Sequence, residues 1–194
     1  MRKFLLLPLL NSNCDGLELQ MGDIDFILSI LVVILLTASG NIINDYFDVK
    51  VDKINKPDRV IIGKQVKRRV AMMLHQVLNF GSIAISGYLC FKYGIWWPIA
   101  IPILVATLLW WYSPVFKKMN FLGNLVVAVC VSIIPIWAGA FEITETATHY
   151  ADSISNISAL KTKMWFWTGM YSAFAFLLTL IKRSTKRFGR FERR

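Results

Sequence analysis

The chain reads as an all-α membrane protein, a bundle of transmembrane helices, and three observations carry that reading. Of its 194 residues 56% are hydrophobic and only 18% charged, a balance typical of membrane-embedded chains rather than water-soluble domains. Five apolar segments, roughly 24–46, 70–92, 95–112, 121–141 and 163–181, approach or exceed the ~20 residues that a bilayer-crossing helix needs. The basic residues cluster in alternate connections: eight lie in 47–69, two in 113–120 and seven after Ile181. By the positive-inside rule these three regions face the cytoplasm, and their alternation makes five crossings self-consistent. The formal net charge of +10 raises nucleic-acid binding as a competing use. Charge gathered in loops between apolar spans is not a basic face or stripe, so no nucleic-acid partner is expected.

The N-terminus begins Arg2-Lys3 and continues with an apolar run, 4–10, too short to span. No small-residue cleavage site follows, so a signal peptide is not expected. Asn11 to Gly16 is a turn-rich loop. In the first span Ser39-Gly40 allows a neighbouring helix close approach. Asp23 and Asp25 at its start read as solvated charges that fix the helix end.

That span runs directly into a polar stretch, Asn41 to Arg59. Asn44, Asp48 and Asp52 recur every four residues, with Asn41 one turn earlier, so on a helix they share one face. Asp45 is turned about 100° from that face. Carboxylates at the end of a membrane-length segment are costly unless compensated. Aligned along one face they suit Mg²⁺, which keeps waters and shares itself with substrate phosphates. Lys56 and Arg59, just downstream, are cations able to meet the same phosphates. A solvated helix end of mixed charge accounts for the same composition.

The run Asn44-Asp-Tyr-Phe-Asp48-x-x-x-Asp52, followed by Ile54-Asn-Lys-Pro-Asp-Arg59, resembles the first aspartate-rich motif of the UbiA-type intramembrane prenyltransferases. Those proteins carry Asn-x-x-x-Asp-x-x-x-Asp and then a basic-Pro-x-Arg element. The resemblance implies nine membrane helices around a cavity in the full fold, of which this chain would cover about the second to the sixth. A family member of this kind begins with a full membrane helix before the one that bears the aspartates, so the start is expected to be internal to a longer protein.

After the motif Pro57 removes a donor and stops the helix. The loop that follows ends in Lys67-Arg68-Arg69, a headgroup anchor or a holder of phosphorylated substrate. His75, beside Gln76 in the second span, reads as a satisfied interhelical hydrogen-bonding group. The third span is short and carries Pro98 and Pro102, which favours a tilt or kink. Trp96-Trp97 and Trp110-Trp111-Tyr112 bracket it as an aromatic belt, with an allyl-binding wall as a second use.

The next connection, Tyr112-Ser-Pro-Val-Phe-Lys117-Lys-Met-Asn-Phe-Leu-Gly123-Asn124, is by itself a basic turn. Its landmarks are similar to the interhelical element Tyr-x-x-x-x-Lys-x-x-x-x-x-Gly-Asn of the same family. By that resemblance Tyr112, Lys117 and Asn124 belong near the diphosphate or the acceptor. A polar outer loop with Glu142, Glu145, His149 and Asp152 is expected after the fourth span, and Asn156-Ile-Ser158 matches a glycosylation triplet. Cys14, Cys90 and Cys130 have no metal-ligand spacing.

In the tail the resemblance breaks. The family places Arg-Glu-x-x-Lys-Asp-x-Glu-Asp here, whereas this chain has a basic segment with Glu192 as its one acid. Permitted codons for residues 182–192, read one nucleotide later, give Arg-Glu-Val-Leu-Lys-Asp-Leu-Glu-Asp-Leu, so a frameshift is expected. Residues 1–181 would then form a partial prenyltransferase domain and 182–194 a displaced basic tail, and little turnover is expected of the chain. An ordinary lipid-binding tail is the alternative.

The implied function is Mg²⁺-dependent transfer of a prenyl group from a prenyl diphosphate to a lipid or aromatic acceptor, within a bacterial inner membrane. Asp48, Asp52, Lys117 and Tyr112 would act in catalysis, and Asn44, Asp48 and Asp52 would hold the metal. Asn41, Asn44, Lys56, Arg59 and Asn124 would bind substrate. The sequel to the first motif favours geranylgeranylglyceryl phosphate as acceptor over a quinone precursor or a chlorophyll-type acceptor. A non-enzymatic membrane bundle, or an inactive fragment, is the reading of a different class.

Overall fold

The structure, a computed structural model, describes residues 18–191 apart from 56, 120, 121 and 153, with the side chains of 59, 118 and 183–191 also excluded. Among the described residues it is built of helices joined by short connections. Helix α1 spans Asp23–Asn55, α2 Arg68–Tyr93, α3 Ala100–Tyr112, α4 Leu122–His149 and α5 Ile157–Phe191. Short 3₁₀ turns at Pro57–Arg59, Trp97–Ile99 and Phe116–Lys118 sit in the connections. Four helices (α1, α2, α4 and α5) are long and apolar enough to cross a bilayer. The third apolar segment, Trp97–Tyr112, is shorter. At ~1.5 Å per residue its 16 residues reach about 24 Å, less than the ~30 Å hydrocarbon core. The prolines explain its start: Pro98 lies in the 3₁₀ turn and Pro102 in the first turn of α3, where a missing N–H leaves no bond unmade.

Two antiparallel pairs, α1 with α2 and α4 with α5, make the most extensive packing, and α3 lies between α1 and α4. Small residues set these approaches. A Cβ at Gly40 would stand 2.9 Å from Leu109 Cδ1 of α3, and one at Gly139 would stand 2.8 Å from Thr168 Cγ2 of α5. The main core gathers Val32, Leu36, Leu89, Val105, Trp137 and Phe141. Outward rows such as Ile24, Ile27 and Ile34 on α1, and Phe166, Phe174 and Leu177 on α5, are exposed, as lipid-facing positions should be.

Between α1 and α2 lies a buried polar knot. Ser39 Oγ donates to Asn79 Oδ1 at 2.7 Å and lies 2.9 Å from His75 Nδ1, while Asn79 Nδ2 lies 3.0 Å from His75 Nε2. With the Ser39 proton given to Asn79, the directions assign the neutral Nδ1–H tautomer to His75. The ring also packs against Trp110 of α3, centroids 5.4 Å apart. His75 is therefore the satisfied interhelical group that its place in an apolar span predicts.

At the other end of the bundle two acids depart from expectation. Asp25 is 3% exposed, not solvated: Lys92 Nζ and Tyr93 Oη donate to its Oδ2 at 2.7 and 2.8 Å. Glu142 is not in a loop, because α4 continues to His149 and buries it. Its Oε1 accepts the backbone N–H groups of Gln20 and Met21 at 2.8 and 3.2 Å, pinning the segment before α1 to α4. Both are buried carboxylates with donors supplied from a distant part of the chain, the condition under which such burial is tolerated. The outer connection shortens to residues 150–156. There Asn156 Oδ1 accepts from Ala159 N–H at 3.1 Å and so caps α5.

Candidate active site

Helix α1 has 33 residues, about 50 Å of rod where ~20 residues suffice to cross. Its last three turns, which carry Asn44, Asp48 and Asp52, are therefore not needed to span a bilayer. The connection from α3 to α4 brings Lys117 to the same end. Pro114 cannot continue the α3 ladder, and the chain turns through Phe116–Lys118 into α4. This turn nests on Gly123: a Cβ there would stand 2.8 Å from Phe116 O and 3.5 Å from Lys117 Cα. Glycine at this position is what lets the helix start lie against the turn that presents Lys117.

Lys117 Nζ donates to Asn44 Oδ1 at 3.3 Å and to Asp48 Oδ2. Ser113 Oγ, buried at the end of α3, donates to Asn44 Oδ1 at 3.4 Å. Two oxygens of α1 thus converge on one cation. The side chains of Lys117 and Asp48 are 40% and 21% exposed, so the pair is worth about 1 kcal/mol at most and its partners are exchangeable.

Below this mouth runs a cavity of about 460 Å³, between α1, α3 and α4. Asn41, Asn44, Tyr112 and Lys117 line its polar end. Val32, Leu36, Ile101, Val105, Val131 and Ile134 are among the apolar residues of its walls, and Trp137 lies furthest from the mouth on α4. The α1 lining recurs at helical spacing from Val32 to Asn44, about 18 Å of depth.

Of the residues singled out from sequence, Asn41, Asn44, Tyr112 and Lys117 meet at this cavity, and Asp48 joins through Lys117. Asp52 is half-buried one turn further along and does not line the cavity. Asn124 stands one turn before Val127, outside the lining. Asp45 is exposed, as its rotation off the motif face predicts. Arg59 lies in the Pro57–Arg59 turn but its side chain, like all of Lys56, is outside the described residues. Ser113 and Trp137 were not foreseen. Ser113 carried a usable signal, since it follows the Tyr112 landmark, whereas nothing in an apolar span distinguishes Trp137 from its neighbours.

Among the described residues no three His, Cys, Asp or Glu side chains converge as a metal site. The donor set nevertheless fits Mg²⁺, which takes one or two protein carboxylates and completes its shell with water and phosphate oxygens. Asn44 Oδ1 and Asp48 Oδ2 already share one cation, the Lys117 ammonium, which stands in for the charge that such a site holds.

The loop after α1 folds back onto it. Val49, Ile62 and Ala71 form a small cluster, Gly63 turns at φ 88° to pair with Val66, and the Arg68 guanidinium lies 4.5 Å from the Tyr46 ring centroid. Lys64 Nζ donates to Pro57 O at 2.7 Å. Within 67–69, Arg68 is therefore stacked on the motif helix.

Comparison with known proteins identifies the family. The profile of the UbiA prenyltransferase family matches residues 19–187. A digeranylgeranylglyceryl phosphate synthase from Metallosphaera sedula is 37% identical over 118 residues, covering 59% of this chain and 39% of that protein. Similarly named proteins from Sulfurisphaera tokodaii and Thermococcus kodakarensis are each 34% identical, over 63% and 61% of this chain. The chain spans about two fifths of the length of these relatives. No solved structure gives a significant match.

Proposed function

This chain belongs to the UbiA prenyltransferase family, and from that premise we propose that its cavity seats a prenyl diphosphate for transfer of the prenyl group within the membrane. The diphosphate lies at the Asn44–Asp48–Lys117 mouth and the hydrocarbon runs down the shaft. The observation that carries this reading is the junction itself: a polar mouth with a partly exposed cation opens onto about 460 Å³ of largely apolar space. Few ligands other than an amphiphile with an anionic head would match both ends.

Each residue has a role in this reading. Lys117, with Lys56 and Arg59, stabilises charge on the departing diphosphate. Asn44, Asp48 and Asp52 would hold Mg²⁺, which when bound would supply positive charge to the leaving group. Tyr112 borders the position of the allylic carbon, where an aromatic face favours a developing cation. Asn41 and Asn124 offer amides to the polar parts of the substrates. The apolar walls exclude water, which would otherwise capture the cation. Geranylgeranylglyceryl phosphate is the acceptor best supported, by the names of the relatives and by the Asn55-Lys-Pro-Asp-Arg59 sequel. The basic connections support a cytoplasmic position for the mouth, by the positive-inside rule.

The test is binding of a prenyl diphosphate to the chain in lipid nanodiscs, with and without Mg²⁺. Binding should require the metal, and Asp48→Ala should weaken it roughly tenfold or more, the worth of contacts to a charged group. Equal binding with and without Mg²⁺, or none at all, would refute the proposal.

A further inference from the structure

The shaft below Asn44 and Lys117 ends at a single large side chain. Trp137 is 2% exposed, and its indole N–H donates to Ser29 O across the gap between α4 and α1 at 3.2 Å. Its ring meets Phe141 edge-on, centroids 4.8 Å apart and planes at 82°. One hydrogen bond and one aromatic contact therefore hold the indole at the end of the cavity furthest from the mouth, where Val32 and Val33 line it from α1.

Twelve residues of α1 separate Val32 from Asn44, about 18 Å along the cavity from its deep end to its mouth. Each added isoprene unit buries five more carbons until the chain tip reaches the indole, and the next unit has nowhere to go. We propose that Trp137 is the specificity-determining residue that sets the longest prenyl chain the site accepts. The inference rests on the reading of the cavity as a prenyl diphosphate site. Behind the indole lie Ser29 and Phe141, so shortening Trp137 lengthens the shaft toward them.

The wild-type chain in nanodiscs with Mg²⁺ is titrated with inorganic diphosphate and with prenyl diphosphates that differ by single isoprene units. Affinity should climb by roughly tenfold or more with each unit that the shaft can bury, and then stop climbing at one length. Trp137→Ala should move that break to a chain about one unit longer, leaving shorter chains bound as before. Val33→Phe, which fills the same end from α1, should move it shorter. Trp137→Phe keeps a ring against Phe141 and loses the N–H donor, and it serves if the alanine variant does not fold; its break should also move longer. A break that stays in place in the folded variants overturns the role of Trp137 alone. Wild-type affinity that is flat with chain length, or no better than for inorganic diphosphate, overturns the underlying reading and this inference with it.

Discussion

Lys117 pairs with Asp48 at the mouth, so the two charges there offset one another. A diphosphate that draws the ammonium away frees Asp48 and Asn44 together, because both oxygens face that one nitrogen. Gly123 decides whether Lys117 can stand there. Gly123→Ala puts a methyl group 2.8 Å from Phe116 O, a contact that only backbone movement can relieve. It should lower affinity for a prenyl diphosphate roughly tenfold or more through loss of the Lys117 contact, while affinity still rises with prenyl chain length. Titration of the variant against the same series of chain lengths checks both parts. Landmark residues at fixed spacing were legible from sequence because Asn44, Asp48 and Lys117 are set by turns of one helix and one short connection. Asp25 and Glu142 were not, since their donors, Lys92, Tyr93 and the Gln20–Met21 backbone, are remote in sequence.

At the scale of helices, the knot of Ser39, His75 and Asn79 fixes how α1 and α2 face one another. Apolar packing alone allows a helix to roll, whereas three side chains that satisfy each other in hydrocarbon fix one register. His75→Ala leaves Ser39 and Asn79 short of partners at bilayer depth and should cost about 1–3 kcal/mol. Thermal unfolding in detergent should show a lowered midpoint, with Ser39→Ala giving a smaller drop because its backbone carbonyl, 3.1 Å from His75 Nδ1, stays in place. Equal stability of wild type and His75→Ala would show the knot to be idle. Helix positions were legible from apolar runs, but ends were not. The fourth and fifth runs each extend several residues beyond their apolar stretch, because Glu142, Thr146 and Asn156 satisfy polar and terminal groups through contacts that hydropathy does not register.

For the whole molecule, the two ends of the bundle differ in chemistry. The Asn44–Lys117 end carries the basic connections, and the Asp25–Lys92–Glu142 end carries buried acids that take their donors from within the protein. By the positive-inside rule the Asn44–Lys117 end is expected to face the cytoplasm. With Cys14, Cys90 and Cys130 replaced by alanine, a cysteine at exposed Lys64 should react with a membrane-impermeant maleimide only after the cytoplasmic face is opened. A cysteine at exposed Asp152 should react in intact cells. The reverse pattern would invert the topology. Mechanically, α1 is a beam clamped at Asp25 and again at Ser39, with an overhang of about 20 Å from the second clamp to Asp52. A tilt of about 5° at that clamp swings Asp52 by about 2 Å, several times the tolerance of a productive constellation. The Val49–Ile62–Ala71 cluster is the prop beneath that overhang. The connector between α1 and α2 thereby becomes a strut, and its stiffness sets how accurately the carboxylates are aimed.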